Sequence, residues 1–272
     1  MTKHQPFNVA LIGIPFDDNS SFERGPALAP KVIRQVLKSG SLNGSTELGV
    51  NLRESQRWFD AGDVNIAISD NFIDKIEQRC DQLLSENTRL LTLGGDHSIS
   101  YPVLKSYGKY FEQLTILHID AHSDLYDCFK GNRYSNACPF ARVMEDGLCE
   151  RLVQVGIRTL NLHQEQQIAK FNVESLAMRY WPLAQPLVFE HPVYLSLDID
   201  GIDPAFAPGV SHREPGGLTT REVINLIHQI NMPLIGADIV EFNPNKDIDN
   251  MTSQLAAKLV KEIAGKMLLS IA

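Results

Sequence analysis

The chain has 272 residues, of which 43% are hydrophobic and 21% are charged, and its net charge is −8 at pH 7. This composition is typical of a globular protein that buries a substantial core, and the acidic balance argues against binding to nucleic acid or to an anionic membrane. The sequence contains no run of 18 apolar residues, so no membrane span is expected.

Strand-like segments recur along the chain, and most are continuous apolar runs, as expected of parallel strands that are buried on both faces. Six are predicted, over residues 7–16, 89–95, 114–120, 151–157, 193–200 and 233–242. Segments with helical spacing of apolar residues lie between them, over residues 29–39, 70–86, 219–230 and 251–271. The third helix has candidate N-caps in Thr219 and Thr220, and Glu222 stands three residues after Thr219.

This alternation of strands and helices predicts an α/β fold in which helices cover both faces of a parallel sheet. The chain shows no internal repeat, low-complexity tract or linker. The polar loop 40–57 is rich in Gly and Ser, but it lies too close to the N-terminus to separate two domains. We therefore expect residues 1–272 to form a single domain.

Polar motifs follow four of the predicted strands at the point where each strand ends. GGDHS (94–98), DAHSD (120–124) and DIDGIDP (198–204) each come after an apolar run, and Glu241 follows IGADIV. Ligands of open α/β sheets bind outside the carboxyl ends of the strands. We expect these four polar tips to meet at one edge of the sheet.

The ionisable residues of these motifs form a candidate metal site: His97, Asp120, His122, Asp124, Asp198 and Asp200. Alternate residues of a strand share one face, so each short motif presents its ligands together. Four carboxylates in one cleft repel each other unless cations neutralise them, and two divalent ions would balance their charge. Oxygen donors with some imidazole nitrogen suit Mn²⁺ or another first-row ion. A pair of such ions activates water for hydrolysis.

The alternative for any one of these motifs is that its aspartates serve as turn or capping residues. Three motifs at three strand ends favour the metal site instead. His118 shares the strand face of Asp120 but lies one pleat deeper. We expect it to be a core histidine or the partner of a ligand, rather than a ligand itself.

The start of the chain and its cysteines bear on the compartment of the protein. The amino-terminal segment enters a strand directly and lacks the apolar core and cleavage site of a secretory signal. The four cysteines include no CxxC pair, which favours reduced thiols and a cytoplasmic protein. A thiol nucleophile at Cys138 stays open, although no matching signature surrounds it.

The motifs GGDHS, DAHSD and SLDIDGIDPAFAPG resemble those of the ureohydrolases, the family that contains arginase, agmatinase and formimidoylglutamase. The resemblance extends from NSSFERGPALAP (19–30) to the last helix. Segments such as YDCFKGNRYS, RLVQVGIR and GADIVEFNPNKD are most similar to plant-type arginases and their bacterial relatives. The resemblance implies a three-layer α/β/α fold with an eight-stranded, mainly parallel sheet, and hydrolysis of a guanidino C–N bond to release urea.

The resemblance also implies two Mn²⁺ ions per chain and a bridging hydroxide that attacks the guanidinium carbon. The ligands of one ion match His97, Asp120, Asp124 and Asp198. The ligands of the other match Asp120, His122, Asp198 and Asp200, so Asp120 and Asp198 bridge. Asp124 also matches the carboxylate that hydrogen-bonds the hydroxide. Glu241 matches the acid that pairs with the substrate guanidinium, which can donate two parallel N–H bonds to one carboxylate.

One position departs from the family pattern. The histidine that is thought to shuttle protons to the leaving amine is replaced by Asn136, and an amide cannot act as an acid or base near neutral pH. Three explanations stay open: an introduced change that traps substrate, a natural protein with another shuttle or substrate, or a protein with little turnover. Formimidoylglutamases also lack this histidine. His212 is a possible substitute if its loop folds over the metals, although packing within the loop is the favoured role.

The metal ligands do not specify the tail of the substrate. Lys130, Arg133 and Arg213 lie on loops that follow the metal motifs, and they would favour a carboxylate-bearing tail if they faced the pocket. The alternative is that they are solvated loop charges. With the similarity to plant-type arginases, we expect arginine rather than agmatine or an amidino acid. The candidate substrate contacts are Glu241, Asn136, Arg133 and His212, and the family implies a homo-oligomer, either trimer or hexamer.

Overall fold

Residues 6–270 are described by a computed structural model. Within this range the strands are β1 (Asn8–Gly13), β2 (Trp58–Asp63), β3 (Thr88–Leu93), β4 (Thr115–Ile119), β5 (Arg151–Val155), β6 (Glu174–Leu176), β7 (Val193–Asp198) and β8 (Leu234–Val240). The α-helices are α1 (Ala29–Lys38), α2 (Phe72–Ser85), α3 (Ser100–Gly108), α4 (Pro139–Glu145), α5 (Leu162–Phe171), α6 (Thr220–Gln229) and α7 (Met251–Leu269).

All eight strands belong to one sheet with the order β2-β1-β3-β8-β7-β4-β5-β6. Every pair of neighbouring strands is parallel, so the sheet is wholly rather than mainly parallel. The predicted α/β fold is confirmed. The four strands that carry polar motifs at their carboxyl ends, namely β3, β8, β7 and β4, are consecutive neighbours at the centre of the sheet.

The six strands that were predicted from apolar runs are all present. The two that were missed, β2 and β6, form the two edges of the sheet. Their sequences, WFDAGD and ESL, contain mostly half-buried or exposed residues. An edge strand has one unpaired side and a solvated face, so it lacks the continuous apolar run that marks a buried strand.

The four predicted helices are present as α1, α2, α6 and α7, although residue 271 of the last prediction lies outside the described residues. Helix α6 begins with the expected capping box between Thr219 and Glu222. Helices α3, α4 and α5 were not predicted. Helix α3 is buried almost all round, and α4 has only 7 residues, so neither shows an amphipathic pattern.

Helices cover both faces of the sheet and create two hydrophobic cores. Along β7, Leu195 and Leu197 face one core and Tyr194 faces the other, as the period of two requires. Helices α1, α6 and α7 pack on the first face, whereas α2, α3 and α4 pack on the second. Within the described chain, none of the helices combines the length and apolar character that crossing a bilayer requires.

Replacing Gly236 with alanine should destabilise the protein by about 1–3 kcal/mol, because the added methyl group overfills a rigid part of the core. A Cβ at this position in β8 would lie 2.5 Å from Cζ of Tyr107, whose hydroxyl donates to Ile235 O and accepts from Leu90 N. Gly108→Ala is the matched control, since the nearest atom to its methyl group would be Leu148 Cδ2, the end of a flexible side chain, at 3.1 Å. Equal denaturant midpoints for the two variants would contradict this expectation.

Candidate active site

The four central strands bring the predicted polar residues together at one edge of the sheet. His97 follows β3, Asp120 follows β4, Asp198 ends β7 and Glu241 follows β8. Asp124 and Glu241 have positive φ angles of 50° and 62°, which non-glycine residues adopt rarely. Such backbone strain concentrates at functional sites, where the surrounding structure holds it in place.

His97 lies among three carboxylates. Its Nδ1 atom is 3.2 Å from Asp120 Oδ2, 3.0 Å from Asp124 Oδ2 and 3.3 Å from Asp198 Oδ2. The same nitrogen is fully buried and forms no hydrogen bond of acceptable geometry. Metal ligands are arranged around a cation in this way, with donor atoms that face one another without forming hydrogen bonds.

His122 forms a second group with two aspartates. Its Nδ1 atom is 3.3 Å from Asp120 Oδ1 and 3.1 Å from Asp200 Oδ2. The two oxygens of Asp120 therefore face different histidines, His97 on one side and His122 on the other. Donor atoms of Asp120, His122 and Asp200 lie within 4.8 Å of one another, and so do those of His97, His118 and Asp120.

His118 is tied to the protein through both ring nitrogens. Nε2 lies 2.8 Å from Asp120 Oδ2, and Nδ1 lies 3.0 Å from Nε2 of Gln154. Its ring packs at 4.0 Å, centroid to centroid, against Phe140. These contacts are those of a residue that orients Asp120, which is the role expected for His118 from its deeper position on the strand.

The backbone of Asp120 is held by two glycines. A Cβ at Gly156 would lie 2.7 Å from Asp120 O, and a Cβ at Gly201 would lie 2.8 Å from Asp120 N. Gly156 also has a φ of +99°, which glycine adopts without strain. The chain can thus approach the backbone of Asp120 closely from both neighbouring strand ends, those of β5 and β7.

A buried chain of polar groups continues from His97 into the sheet. Nε2 of His97 lies 2.9 Å from Ser196 Oγ, and Ser196 donates to Asp238 Oδ1 at 2.7 Å. Tyr194 donates to the other oxygen of Asp238 at 2.8 Å. This network orients the His97 ring. It was missed from the sequence because Ser196 and Asp238 lie within apolar strands, although a buried aspartate in such a run is itself a signal.

Glu241 is linked to Asn136. Oε1 of Glu241 accepts hydrogen bonds of 2.9 Å from Asn136 Nδ2 and from the His97 backbone N–H. Asn136 Oδ1 in turn accepts a 2.9 Å hydrogen bond from Ser21 N. Burial and the charge of nearby Asp96 raise the pKa of Glu241 to about 8. The amide at position 136 is therefore a fixed positioning group for Glu241 and for the loop around Ser21.

Asp96 lies within the GGDHS motif but was not singled out from the sequence. It is fully buried, caps the turn at Ser98, and accepts a 3.0 Å hydrogen bond from Asn19 N. Burial, opposed by hydrogen bonds to Ser98, raises its pKa to about 6. Asp96 thereby attaches the loop containing Asn19 and Ser21 to the edge where the candidate ligands lie.

These side chains open into a cavity of about 220 Å³. Its walls combine the acidic edge with uncharged groups from the loops and from the start of α5, and His212 lies at its rim, 5.5 Å from the His122 ring. The lining residues are Ser21, His122, Asp124, Tyr126, Phe129, Asn136, Ala137, Thr159, Leu160, Asn161, Gln164, Asp198, Asp200, His212 and Glu241.

No lysine or arginine lines this cavity among the described residues. Arg133 is 55% exposed and pairs with Glu145 at 2.6 Å, so the structure does not bring it to the site. Lys130 is exposed beside the Phe129 ring, and Arg213 donates to Pro208 O. Lys130, Arg133 and Arg213 are therefore charged loop residues outside the cavity, which agrees with the alternative that they do not contact the substrate.

Cys138 is fully buried, and it does not line the cavity. Burial, followed by the charge of Asp124, raises the pKa of its thiol to about 12. A nucleophilic cysteine needs a lowered pKa and access to the substrate. The structure therefore argues against a nucleophilic role for the thiol of Cys138, which the sequence had left open.

The donor set fits a pair of divalent cations. Burial, followed by the charges of Asp200 and Asp120, raises the pKa of Asp198 well above its usual range. Burial opposes a charge on His97, but its contacts with Asp120 and Asp124 outweigh this and raise the pKa of His97 well above normal. Bound cations would satisfy the crowded carboxylates and the unpaired nitrogen of His97 together.

Comparison with known proteins gives a consistent result. The model of the arginase family matches residues 7–265. Arginase 1 of Arabidopsis thaliana, named as mitochondrial, is 45% identical over 96% of this chain and 81% of its own length. Arginase 2 of the same plant, named as chloroplastic or mitochondrial, is 43% identical over 95% of this chain and 80% of its own.

A solved structure also matches. Arginase from Medicago truncatula superposes with a TM-score of 0.92 at 40% identity, covering 96% of this chain and 88% of that one. The expected three-layer α/β/α fold with an eight-stranded sheet is confirmed by this likeness.

The prediction of a cytoplasmic protein is wrong by the same comparison, because the similar plant arginases are named for mitochondria or chloroplasts. It rested on cysteines without a CxxC pair and on the residues that begin the chain. Reduced cysteines are shared by proteins of any reducing compartment, so they could not distinguish the cytoplasm from an organelle.

An α/β fold that places His, Asp and Glu side chains at four central strand ends, together with a family match over nearly the whole length, identifies the chain: it belongs to the arginase family of hydrolases.

Proposed function

We propose that the chain is an arginase that hydrolyses arginine to urea. The observation that carries the proposal is the position of Asp120, whose two carboxylate oxygens face His97 and His122 separately. Asp124 and Asp198 complete the first group, and Asp200 completes the second. One carboxylate shared between two ligand groups is the arrangement that a binuclear hydrolytic site requires.

The six residues His97, Asp120, His122, Asp124, Asp198 and Asp200 would hold two metal ions, and we propose Mn²⁺ because oxygen donors outnumber imidazoles. When bound, the pair supplies an activated water and neutralises the carboxylates. Asp124 lies at the cavity, 3.0 Å from His97 Nδ1, where it can accept a hydrogen bond from that water. Ser196 and Asp238 keep the His97 ring in the orientation that presents Nδ1.

Glu241 is the group that we propose to bind the substrate guanidinium. Its Oε1 accepts two hydrogen bonds from the protein, while Oε2 accepts none among residues 6–270. The positive charge of a guanidinium would favour the ionised form of Glu241, and the two groups would then pair through parallel hydrogen bonds at the wall of the cavity. Asn136 holds Glu241 in place through its amide, and in this role it contributes to substrate binding without exchanging a proton.

The cavity favours arginine over an anionic amidino acid. The additional carboxylate of such an amidino acid would need a basic partner, and no lysine or arginine lines the cavity in the described part of the chain. The first turn of α5 does open there, through Asn161 and Gln164. A helix N-terminus attracts a single carboxylate, whereas the acidic wall suits the α-ammonium. Agmatine, which keeps the amine and lacks the carboxylate, is the second candidate, and the same acidic wall favours it.

We further propose that the whole chain is one catalytic domain, since residues 6–270 form a single sheet with both faces covered. A homo-oligomer, either a trimer or a hexamer, is proposed from the family resemblance. Sedimentation equilibrium of the purified protein would measure its mass directly.

The test is product release from the Mn²⁺-loaded protein. We expect urea from arginine at a higher kcat/KM than from agmatine or 4-guanidinobutyrate, and no formamide from formiminoglutamate. Treatment with a chelator should abolish urea release, and added Mn²⁺ should restore it. Urea from agmatine alone would assign the second candidate. The absence of product from every substrate, for a protein that binds Mn²⁺, would overturn the hydrolase proposal in favour of a metal-binding protein without turnover.

Replacing Ser196 with alanine should lower the affinity for Mn²⁺ by ~10–100-fold, because the His97 ring loses the partner that orients it. Metal dissociation constants, measured by competition with a coloured chelator, check this. Ser106→Ala is the control, since Ser106 is equally buried but bonds only to Glu77 O. Unchanged affinity in Ser196→Ala would show that the ring is held by its packing alone.

A further inference from the structure

A second cavity, of about 180 Å³, lies at the other end of the sheet from the candidate active site. It is enclosed by the end of α1, by loop residues 42–53, by Trp58 at the start of β2, and by α7. It shares no lining residue with the active-site cavity. Any ligand of this cavity would bind independently of the proposed catalysis.

Lys261 of α7 lines this cavity and is buried, with 5% of its surface exposed. Its Nζ atom forms one hydrogen bond, of 3.3 Å, to the neutral side chain of Asn43. Over residues 6–270, no carboxylate lies within ion-pair distance of it. A buried ammonium is costly to desolvate and is ordinarily paired with an anion.

The surroundings of Lys261 do not supply that anion. The adjacent acid, Glu262, is already occupied, because its carboxylate accepts from Lys258 Nζ at 2.5 Å and contacts His228 Nε2 at 2.9 Å. Burial, followed by the positive charge of Lys258, lowers the pKa of Lys261. Among the described residues, Lys261 therefore has no carboxylate partner of its own within ion-pair distance.

A second cation, Arg53, lines the same cavity. Its guanidinium donates to the backbone oxygen of Leu42 at 3.1 Å and pairs with no carboxylate in the described chain. A Cβ at Gly44 would lie 2.8 Å from Arg53 Cγ, so the glycine gives the arginine stem its room. A 2.9 Å backbone hydrogen bond from Leu52 N to Gly44 O joins the two sides of the loop next to Arg53.

The remaining walls are apolar, formed by Leu37, Leu42, Leu52 and Trp58. The volume of about 180 Å³ gives room for a small organic molecule. We propose that this cavity binds a small monocarboxylate with an aliphatic body, whose carboxylate lies between Lys261 and Arg53. Lys261 and Arg53, which lie at a cavity with apolar walls, would bind such an amphipathic anion better than inorganic phosphate. Phosphate would leave the apolar walls uncovered.

Calorimetric titration of the full chain with isovalerate tests the proposal, with isovaleramide as the neutral molecule of the same shape and inorganic phosphate as the anion without an apolar body. We expect saturable binding of isovalerate with a Kd of roughly 1 mM or tighter. The amide and phosphate should each bind at least about tenfold more weakly, since a charge-assisted hydrogen bond is lost in one case and apolar burial in the other.

Variants locate the site. Lys261→Met should raise the Kd for isovalerate at least about tenfold, and Arg53→Gln, at an exposed position, provides a second variant if the first does not fold. Lys266→Met, on the same helix but outside the cavity, should bind as the unaltered protein does. The proposal is overturned if isovalerate does not bind, if the amide or phosphate binds as tightly, or if the folded Lys261→Met and Arg53→Gln proteins both retain full affinity.

Discussion

Asp120→Asn should remove both bound metal ions and lower urea production by at least about 10³-fold. Loss of one electrostatic group at a reacting centre commonly costs ~10²–10³-fold, and this carboxylate serves two ligand groups. Oδ2 lies 3.2 Å from His97 Nδ1 and Oδ1 lies 3.3 Å from His122 Nδ1. An amide offers one acceptor oxygen, and its NH₂ group would face the other cation with the wrong polarity.

Metal content after dialysis and urea release from arginine measure the two effects separately. Asp249→Asn is the control, because Asp249 is exposed and its φ of 48° is one that asparagine tolerates. Thermal melting followed by circular dichroism shows whether the Asp120 variant is folded. A folded Asp120→Asn protein that keeps two ions per chain would refute the bridging assignment.

Asn136→His should raise kcat for arginine by ~10²–10⁴-fold, the usual contribution of a positioned acid or base. Residue 136 already lies beside the acid that we propose to bind the substrate, since Asn136 Nδ2 is 2.9 Å from Glu241 Oε1 at the cavity wall. A histidine can keep one of the three hydrogen bonds that the Asn136 side chain makes and can exchange a proton at its other nitrogen. The pH–rate profile should then acquire an ionisation in the range of histidine.

Asn136→Ala separates proton transfer from positioning. It removes the three hydrogen bonds of the amide, to Glu241 and from Ser21 N and Ser135 Oγ, without adding a titratable group. We expect its kcat/KM to fall below that of the unaltered protein. An equal gain in Asn136→Ala and Asn136→His would show that release of Glu241, rather than a proton shuttle, limits the rate. No change in Asn136→His would show that this chain does not need a shuttle here.

The extent to which the fold followed from the sequence depended on burial. Central strands such as β4 and β7 are covered on both faces, so each carries an unbroken apolar run that can be recognised without the structure. The edge strands β2 and β6 are stabilised by pairing with β1 and β5 rather than by their own composition. Helix α3 is buried on nearly every side, and its position depends on contacts with α2 and α4.

For the site, local spacing predicted which residues could act together. Alternate positions in DAHSD share a face, and this motif comes at the end of a strand, so convergence with His97 and Asp198 could be expected before the fold was known. The same reasoning could not place Arg133, which turns towards Glu145 and away from the cavity. Loop side chains take their direction from long-range packing, which has no local period.

By itself, the sequence determined the α/β class, the edge of the sheet where chemistry occurs and the residue types gathered there, because strand periodicity and apolar runs are local properties. Only the tertiary structure decided that Asp120 faces two histidines and that Asn136 bonds to Glu241, 105 residues away. It alone also buried Lys261 in the same cavity as Arg53, with no carboxylate of residues 6–270 in ion-pair distance of Lys261. Those pairings join distant segments, and they exist because the packing of the sheet and helices brings the segments within hydrogen-bonding distance.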